Sequence, residues 1–503
     1  MTRRQLLQQF LAASCASSLA AQSPAPPTSR HLFYAPANGV AADFVPFYWK
    51  GKYYLFYLHD YRDSEKYGTG VPWYLITTSD FVHFTEYGEV LSRGRPDEQD
   101  HFVYTGCVME ANGSFHIFYT GNNRTFKAQG ERRQAIMHAT SPDLLRWTKV
   151  PGELFFAPAG FEPDDWRDPF VFWNEEEKQY WMIVATRKLP DPNRLDGGAN
   201  AICVSKDLRN WEYRRDLYAP GLYPVNECPD IFRIGKWWYL VFSEFALHWH
   251  TRYRMARSLA GPWLTPEDDL FDDRMFYAAK TASDGSKRFL FGWMPTLDGN
   301  KDTGRIQWGG NLVVHEILQQ TDGTLTVKVP ESVDRSLARE FDFRFASALG
   351  ASRVEGRNVS IASPAEFTWA TAGRMPQRMR VETQVTFERP SRAFGLILRS
   401  ASDHHSGYMF RLEPARNRVR FQAWPAAKAR YQTPMESGWE RALPLKPGER
   451  LELKLFVDGS ACVLYVGGKY ALTARMYDLP PGDWGVFAEE GQARFSEIGA
   501  YTD

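Results

Sequence analysis

Three acidic residues stand at matching places in a repeated sequence unit, and residues of this type in this arrangement suit work on a glycosidic bond or the holding of a cation. A turn followed by an aromatic strand recurs as GKYYLFY from Gly51, GSFHIFY from Gly113, GKWWYLVFS from Gly235 and GSKRFLFGW from Gly285, with KQYWMIVA from Lys178 as a version lacking the glycine. Eight residues before the turn glycine lies Asp43 in the first unit and Glu227 in the fourth, while the second and fifth give Thr105 and Tyr277. The third unit has a longer turn, and Asp168 of WRDPFVFW takes the same place. Carboxylates gathered without partners destabilise a fold by desolvation and mutual repulsion, so their grouping implies a use for their charge and shifted pKa values, or a cation between them. Two carboxylates flanking a scissile bond supply what glycoside hydrolysis needs, one as acid and one as nucleophile or base, and a third can orient the sugar. A cation site, or strand-end carboxylates bonded to backbone amides, accounts for the same residues equally well.

A scaffold has to bring these positions together. A second element keeps phase with the first: SDFVHFT from Ser79, SPDLLRWT from Ser141, SKDLRNWE from Ser205 and a degenerate SLAGPW from Ser258. The unit repeats at roughly fifty to sixty-five residues, too long for one hairpin and right for a four-stranded sheet, so the sequence predicts a five-bladed β-propeller over residues 30–329. The innermost strands of a propeller run side by side, and equivalent starting positions then ring one mouth of the central funnel. Past Val329 the repeat stops, and alternating runs such as AFGLILRS, GYMFRLEP, LELKLFVDG and ACVLYVGG are punctuated by Gly, Asp and Pro. That pattern predicts an antiparallel β-sandwich over residues 338–503, in an all-β chain.

Composition narrows the function. The 503 residues carry 60 Lys and Arg against 60 Asp and Glu, so no net field draws in nucleic acid or an anionic membrane. No apolar run has the length of a spanning helix. Aromatics make up 15% of the chain, which suits β-structure and equally suits surfaces that stack on sugar rings. Residues 1–21 carry Arg3 and Arg4, a mildly apolar stretch and a small-residue end at Ala20 and Ala21, the layout of an export signal of twin-arginine type. A lipoprotein box at Leu11 to Cys15 is the lesser alternative, and residues 22–29, QSPAPPTS, read as a linker. Without the signal, Cys107, Cys203, Cys228 and Cys462 remain, too scattered for a zinc site and expected to be buried thiols. No metal or organic cofactor is expected.

The residues flanking the acids carry a family resemblance. Trp166-Arg167-Asp168-Pro169 and Asn226-Glu227-Cys228-Pro229-Asp230 resemble the RDP and ECPD signatures of glycoside hydrolase family 32, the invertase, inulinase and levanase family. Tyr104-Thr105-Gly106-Cys107 is similar to its FSGS element, Tyr119-Thr120-Gly121-Asn122 to its YTGN, Gly292-Trp293-Met294 to its GWM, and the run from Leu451 to Tyr477 to its carboxyl-terminal strand pair. The resemblance implies hydrolysis of β-fructofuranosides, with an oligo- or polysaccharide as partner. It implies retention of configuration, with Asp43 as nucleophile, Glu227 as acid and then base, and Asp168 and Arg167 binding sugar hydroxyls. Tyr104, Thr105 and Trp73 are then candidate walls of the pocket. One signature departs: the family's WMNDPNG is Gly39-Val40-Ala41-Ala42-Asp43-Phe44-Val45-Pro46 here, and its FYQ is Phe56-Tyr57-Leu58. The acid is kept and its asparagines are lost, which leaves open a same-clan arabinofuranosidase or xylosidase and a non-catalytic sugar-binding propeller.

Overall fold

The computed structural model describes residues 26–190, 195–245, 249–401, 406–424 and 439–503. Five consecutive antiparallel meanders occupy the first two thirds of the chain. The first contains β1 (Thr28–Arg30), β2 (Val40–Trp49), β3 (Lys52–Asp60), β4 (Trp73–Thr78) and β5 (His83–Leu91). The second is β6 (Phe102–Ala111), β7 (Ser114–Asn122), β8 (Gln134–Ser141) and β9 (Thr148–Lys149), and the third β10 (Phe161–Asn174), β11 (Gln179–Lys188), β12 (Gly198–Ser205) and β13 (Glu212–Tyr218). The fourth is β14 (Glu227–Ile234), β15 (Trp237–Glu244) and β16 (His250–Ala256). The fifth is β17 (Tyr277–Ser283), β18 (Arg288–Leu297), β19 (Ile306–Gln319) and β20 (Leu325–Lys328). The aromatic repeat of the sequence is the second strand of each meander: β3, β7, β11, β15 and β18.

The innermost strands β2, β6, β10, β14 and β17 pack one against the next, and β17 returns to β2. The ring is also closed by hydrogen bonding, because β19 joins β2 at Gly310 and Ala41 and merges the first and fifth meanders into one sheet. Local chemistry fixes the hairpins. Lys50-Gly51 and Asn112-Gly113 both take positive φ, the two-residue turn whose twist matches its flanking strands and which glycine and asparagine adopt with little strain. The second sequence repeat is a turn in which a hydroxyl and a carboxylate cap successive backbone amides. Ser141 accepts from the amides of Asp143 and Leu144, and Asp143 from those of Leu145 and Arg146. Ser205 and Asp207 repeat this, and Thr78 and Asp80 do so in the first meander. The hydroxyl equivalent to Ser141 is therefore Thr78, one residue before Ser79, with which the sequence repeat begins in the first meander.

Residues 22–29 are not a linker to their end. Thr28 to Arg30 pair with Thr85, Phe84 and His83 on the edge of the first meander, and Ser29 donates to the Glu86 carboxylate. An edge strand leaves unpaired amides and carbonyls, and this short segment covers them. Residues 1–21, read as an export signal, lie outside the described residues.

The carboxyl-terminal domain is organised by one 20-residue strand, Asp483–Thr502, which pairs along one side with Asn358–Arg374. On its other side it pairs first with Ala393–Ser400 and then with Arg378–Glu388, passing from one to the other near Glu490, where φ is positive. Phe410, Leu455 and Trp484 lie in the core of this β-sandwich. It is bonded to the propeller through buried polar groups: Asp272 accepts from the amide (2.9 Å) and hydroxyl (2.6 Å) of Thr473 and from His315 (3.2 Å), whose other ring nitrogen meets the Tyr465 hydroxyl at 2.9 Å. Among the described residues no helix is long and apolar enough to cross a membrane.

Candidate active site

Each innermost strand loses register with its neighbour at the same height. The breaks fall between Ala42 and Val45, Tyr104 and Gly106, Arg167 and Phe170, Glu227 and Asp230, and Tyr277 and Lys280. A bulge of this kind kinks the strand and re-aims side chains, so consecutive residues that would otherwise point to opposite faces can both reach the funnel. Asp43, Asp168, Cys228 and Ala278 all follow the last paired residue and have φ of 42°, 56°, 50° and 50°. A non-glycine residue held in that region costs about 1–2 kcal/mol, and its recurrence at four matching places ties the strain to the geometry of the mouth.

This register corrects the superposition made on turns. The backbone equivalent of Asp43 and Asp168 in the fourth meander is Cys228, and Glu227 stands one residue earlier, level with Arg167, Tyr104 and Tyr277. The cause is the turn itself: Gly51 and Gly113 are the second residues of two-residue turns, closed by Trp49 with Lys52 and Ala111 with Ser114, whereas Gly235 is the first, closed by Ile234 with Trp237. The site thus has two tiers. In the outer tier Arg167 donates to Glu227 Oε1 at 2.8 Å and the Tyr277 hydroxyl donates to Oε2 at 2.7 Å, so both oxygens of the acid are held by neighbours of its own level. In the inner tier Asp168 accepts from the Cys228 amide at 3.0 Å, while Asp43 accepts from the Thr105 hydroxyl and, at 2.9 Å, from the Trp293 indole N–H.

The electrostatics follow from burial. Burial pushes the Asp43 carboxyl up to about 7, helped by the charges of Asp168 and Glu227 and opposed by the Thr105 and Trp293 donors. Asp168, 3% exposed, is also raised, by burial and then by Glu227, while Arg167, the Cys228 amide and Lys280 pull the other way. Burial opposes the Arg167 charge, but Glu227, Asp165 and Asp168 more than offset it and hold the guanidinium cationic. Burial and the Glu227 charge keep Tyr277 a neutral phenol, able to donate. Burial likewise keeps Cys228 a thiol, and its Sγ, at 3.7 Å, donates to the same Asp168 oxygen as its amide.

Asp43, Tyr104, Thr105, Arg167, Asp168 and Glu227 all line one pocket of about 830 Å³, with Trp249, Trp308, Arg62 and Arg124 toward its rim. Arg124 is braced on the Tyr104 hydroxyl and lies over the Phe102 ring, 4.2 Å from its centroid. Trp73 is not a wall. It is fully buried on the third strand of its meander, packed against Phe56 and Tyr119, and its indole donates to the Tyr104 carbonyl at 3.2 Å. It lies on β4, two strands out from the funnel, and there an aromatic fills the space between meanders. The missing asparagines around Asp43 are replaced by close packing: a Cβ on Gly309 would lie 2.9 Å from Val40 Cγ2 and 3.4 Å from Ala42 Cβ. The carboxylate is framed instead by Thr105 and Trp293. Trp293 belongs to the Gly292-Trp293-Met294 motif, yet nothing in the sequence signals a contact spanning 250 residues. Tyr277 was visible as a ring position but had no assigned part. Among the described residues no group of three or more His, Cys, Asp or Glu is placed to hold a metal ion.

The comparisons with known proteins agree with one another. Residues 34–328 match the model of the glycosyl hydrolases family 32 N-terminal domain. A sucrose-6-phosphate hydrolase of Escherichia coli is 24% identical over 485 residues, 92% of each chain, and a raffinose invertase of Escherichia coli is 25% identical over 450 residues, 86% of this chain and 85% of the other. Among solved structures, fructan 1-exohydrolase IIa from Cichorium intybus superposes with a TM-score of 0.72 at 17% identity, covering 95% of this chain and 97% of its own.

Proposed function

The chain belongs to glycosyl hydrolase family 32 and is a glycosidase, and from that premise we propose that it cleaves β-fructofuranosides of sucrose or fructan type by a retaining double displacement. The observation that carries the reading is the convergence of Asp43, Asp168 and Glu227 on one pocket. Asp43 attacks the anomeric carbon as the glycosidic bond breaks, and Glu227 gives its proton to the departing oxygen. Glu227 then takes a proton from water, which displaces Asp43 and releases the sugar with its original configuration. Asp168 and Arg167 bind hydroxyls of the fructosyl ring, and the negative charge of Asp168 favours the oxocarbenium-like transition state. The relatives named above, with sucrose 6-phosphate, raffinose and fructan in their names, support the sugar class. Export is part of the proposal and rests on Arg3, Arg4 and the small residues up to Ala21.

Incubation of the purified protein with sucrose, inulin, levan and arabinan tests this directly. Fructose is the expected product, first formed as the β-furanose; release of arabinose, or of the inverted anomer, would overturn the substrate class or the stereochemistry respectively.

A pH profile follows from Asp43. A nucleophile must be ionised, and in the free protein its carboxyl lies near 7, so kcat/KM is expected to fall as pH drops below that value. Trp293→Phe and Thr105→Val each remove a donor to the ionised form, and both should move this acid limb to higher pH. An unmoved limb in both variants would show that another group sets it.

A further inference from the structure

The run ending Ala474-Arg475-Met476-Tyr477 belongs to the sandwich, yet the Arg475 side chain reaches into the propeller. Arg475 ends the strand Tyr470–Arg475, is 5% exposed, and among the described residues has no carboxylate partner. Its Nε donates to the Pro295 carbonyl at 2.6 Å, and its Nη2 to the Met294 carbonyl at 3.0 Å and to Asn311 Oδ1 at 2.5 Å. Asn311 passes the link on, donating to the Phe33 carbonyl at 3.0 Å. On the sandwich side the guanidinium meets Ser460, at 3.3 Å from Nη1, and lies 5.8 Å from the centroid of the Tyr477 ring. A buried cation is costly unless its donors are satisfied, and here three of its bonds go to one place in the other domain.

That place is the seam where the ring of meanders closes. Met294 and Pro295 lie on β18, opposite Asn311 and Gly310 of β19, and Gly310 is also the residue through which β19 pairs with Ala41 of β2. Asp43 is two residues from Ala41, and Trp293, the indole donor to Asp43, immediately precedes Met294. Gly310 makes the room: a Cβ there would stand 1.9 Å from the Met294 carbonyl oxygen and 3.1 Å from Arg475 Nη2. Planar guanidinium donors in fixed directions can hold two adjacent carbonyls and an amide oxygen at once, which a lysine ammonium does less well.

We infer that Arg475 is a positioning residue for the hydrolysis, supplied by the sandwich, and that it fixes β18 so that Trp293 meets Asp43 across the closure of the propeller. The inference rests on Asp43 as nucleophile. It gives the second domain a part in the chemistry, beyond bracing the fold or binding polymer. Loss of the clamp lets β18 shift by a fraction of an ångström, which lengthens the indole bond and misplaces the carboxylate.

The test is kinetic. Arg475→Met should lower kcat by at least about tenfold with KM within about twofold of wild type, and should move the acid limb of kcat/KM to higher pH as Trp293→Phe does. Combining the two substitutions should add little to Trp293→Phe alone, because both act on one bond. Arg475→Lys keeps the charge and should recover part of kcat. Should the Met variant not fold, the Lys variant is read in the same way, with a smaller loss of kcat and a limb shift in the same direction. Wild-type kcat and an unmoved limb in a folded variant, or effects of Arg475→Met and Trp293→Phe that multiply independently, would overturn the inference. The two failures are distinguishable: if Asp43→Asn retains activity the catalytic assignment falls, whereas an inactive Asp43→Asn beside a normal Arg475→Met removes this inference alone.

Discussion

Asp43→Asn is expected to abolish sucrose hydrolysis to background, a loss on the order of 10⁴-fold or more in kcat, because it removes a group whose bond to the sugar exists only during reaction. The same variant should be more stable than wild type at alkaline pH. The folded-state pKa of Asp43 lies above its ordinary value, so the neutral carboxyl is the form the fold favours. Its contribution to stability is complete below the usual carboxylate range and is lost as pH rises through about 7, where wild type must keep a buried charge and the amide does not. A melting temperature that rises relative to wild type between pH 5 and 9, together with the loss of turnover, identifies a buried catalytic charge; a fall at every pH would mean that the residue serves packing. Asp43→Ala adds a stereochemical test. With azide in the emptied space, the anion forms the bond to the anomeric carbon as Glu227 protonates the leaving alcohol, and the product is the fructosyl azide of inverted configuration. Recovery of turnover without that product would remove Asp43 from the nucleophile's role.

What could be read beforehand and what could not divide along physical lines. The aromatic second strands and their turns were legible because hairpin chemistry is local, as Asn112-Gly113 shows, and Asp168 could be placed because its unit differs only in turn length. The register of Glu227 was not, since a turn glycine serves equally well in the first or second position, and only the ladder closing Ile234 on Trp237 tells which. Trp73 and Trp293 illustrate the limit for aromatics. Both are buried, one behind the wall and one against the nucleophile, and composition cannot separate a tryptophan that packs from one whose N–H finds a carboxylate. Contacts across domains, such as those of Arg475, leave no periodic trace at all. The altered frame of Asp43 taught the converse: loss of two asparagines signalled a damaged site, but hydrogen bonding is supplied from β6 and β18, which the local motif does not include.

Glu227→Gln should separate the two halves of the reaction. The amide keeps the volume and an acceptor for Arg167 or Tyr277 but has no proton to give, so hydrolysis of sucrose, whose leaving oxygen needs one, is expected to fall roughly 10²- to 10⁴-fold. A β-fructofuranosyl fluoride needs no such proton, because fluoride departs unaided when Asp43 attacks. With that substrate the variant should release fluoride in a burst equal to the enzyme present and then stall, since deglycosylation needs Glu227 as base to draw a proton from water. The stalled species is a fructosyl ester on Asp43, and digestion followed by mass measurement should find the sugar on the peptide that contains this residue. An inverting enzyme forms no such ester, and a binding protein releases no fluoride. A missing burst, or an adduct on another peptide, would therefore count against the double displacement even if the substrate assignment survived. The outer tier adds one refinement: Arg167 and Tyr277 each occupy one lone-pair site, on different oxygens of Glu227, so the proton given to the leaving oxygen has to sit on a site that these two donors leave free.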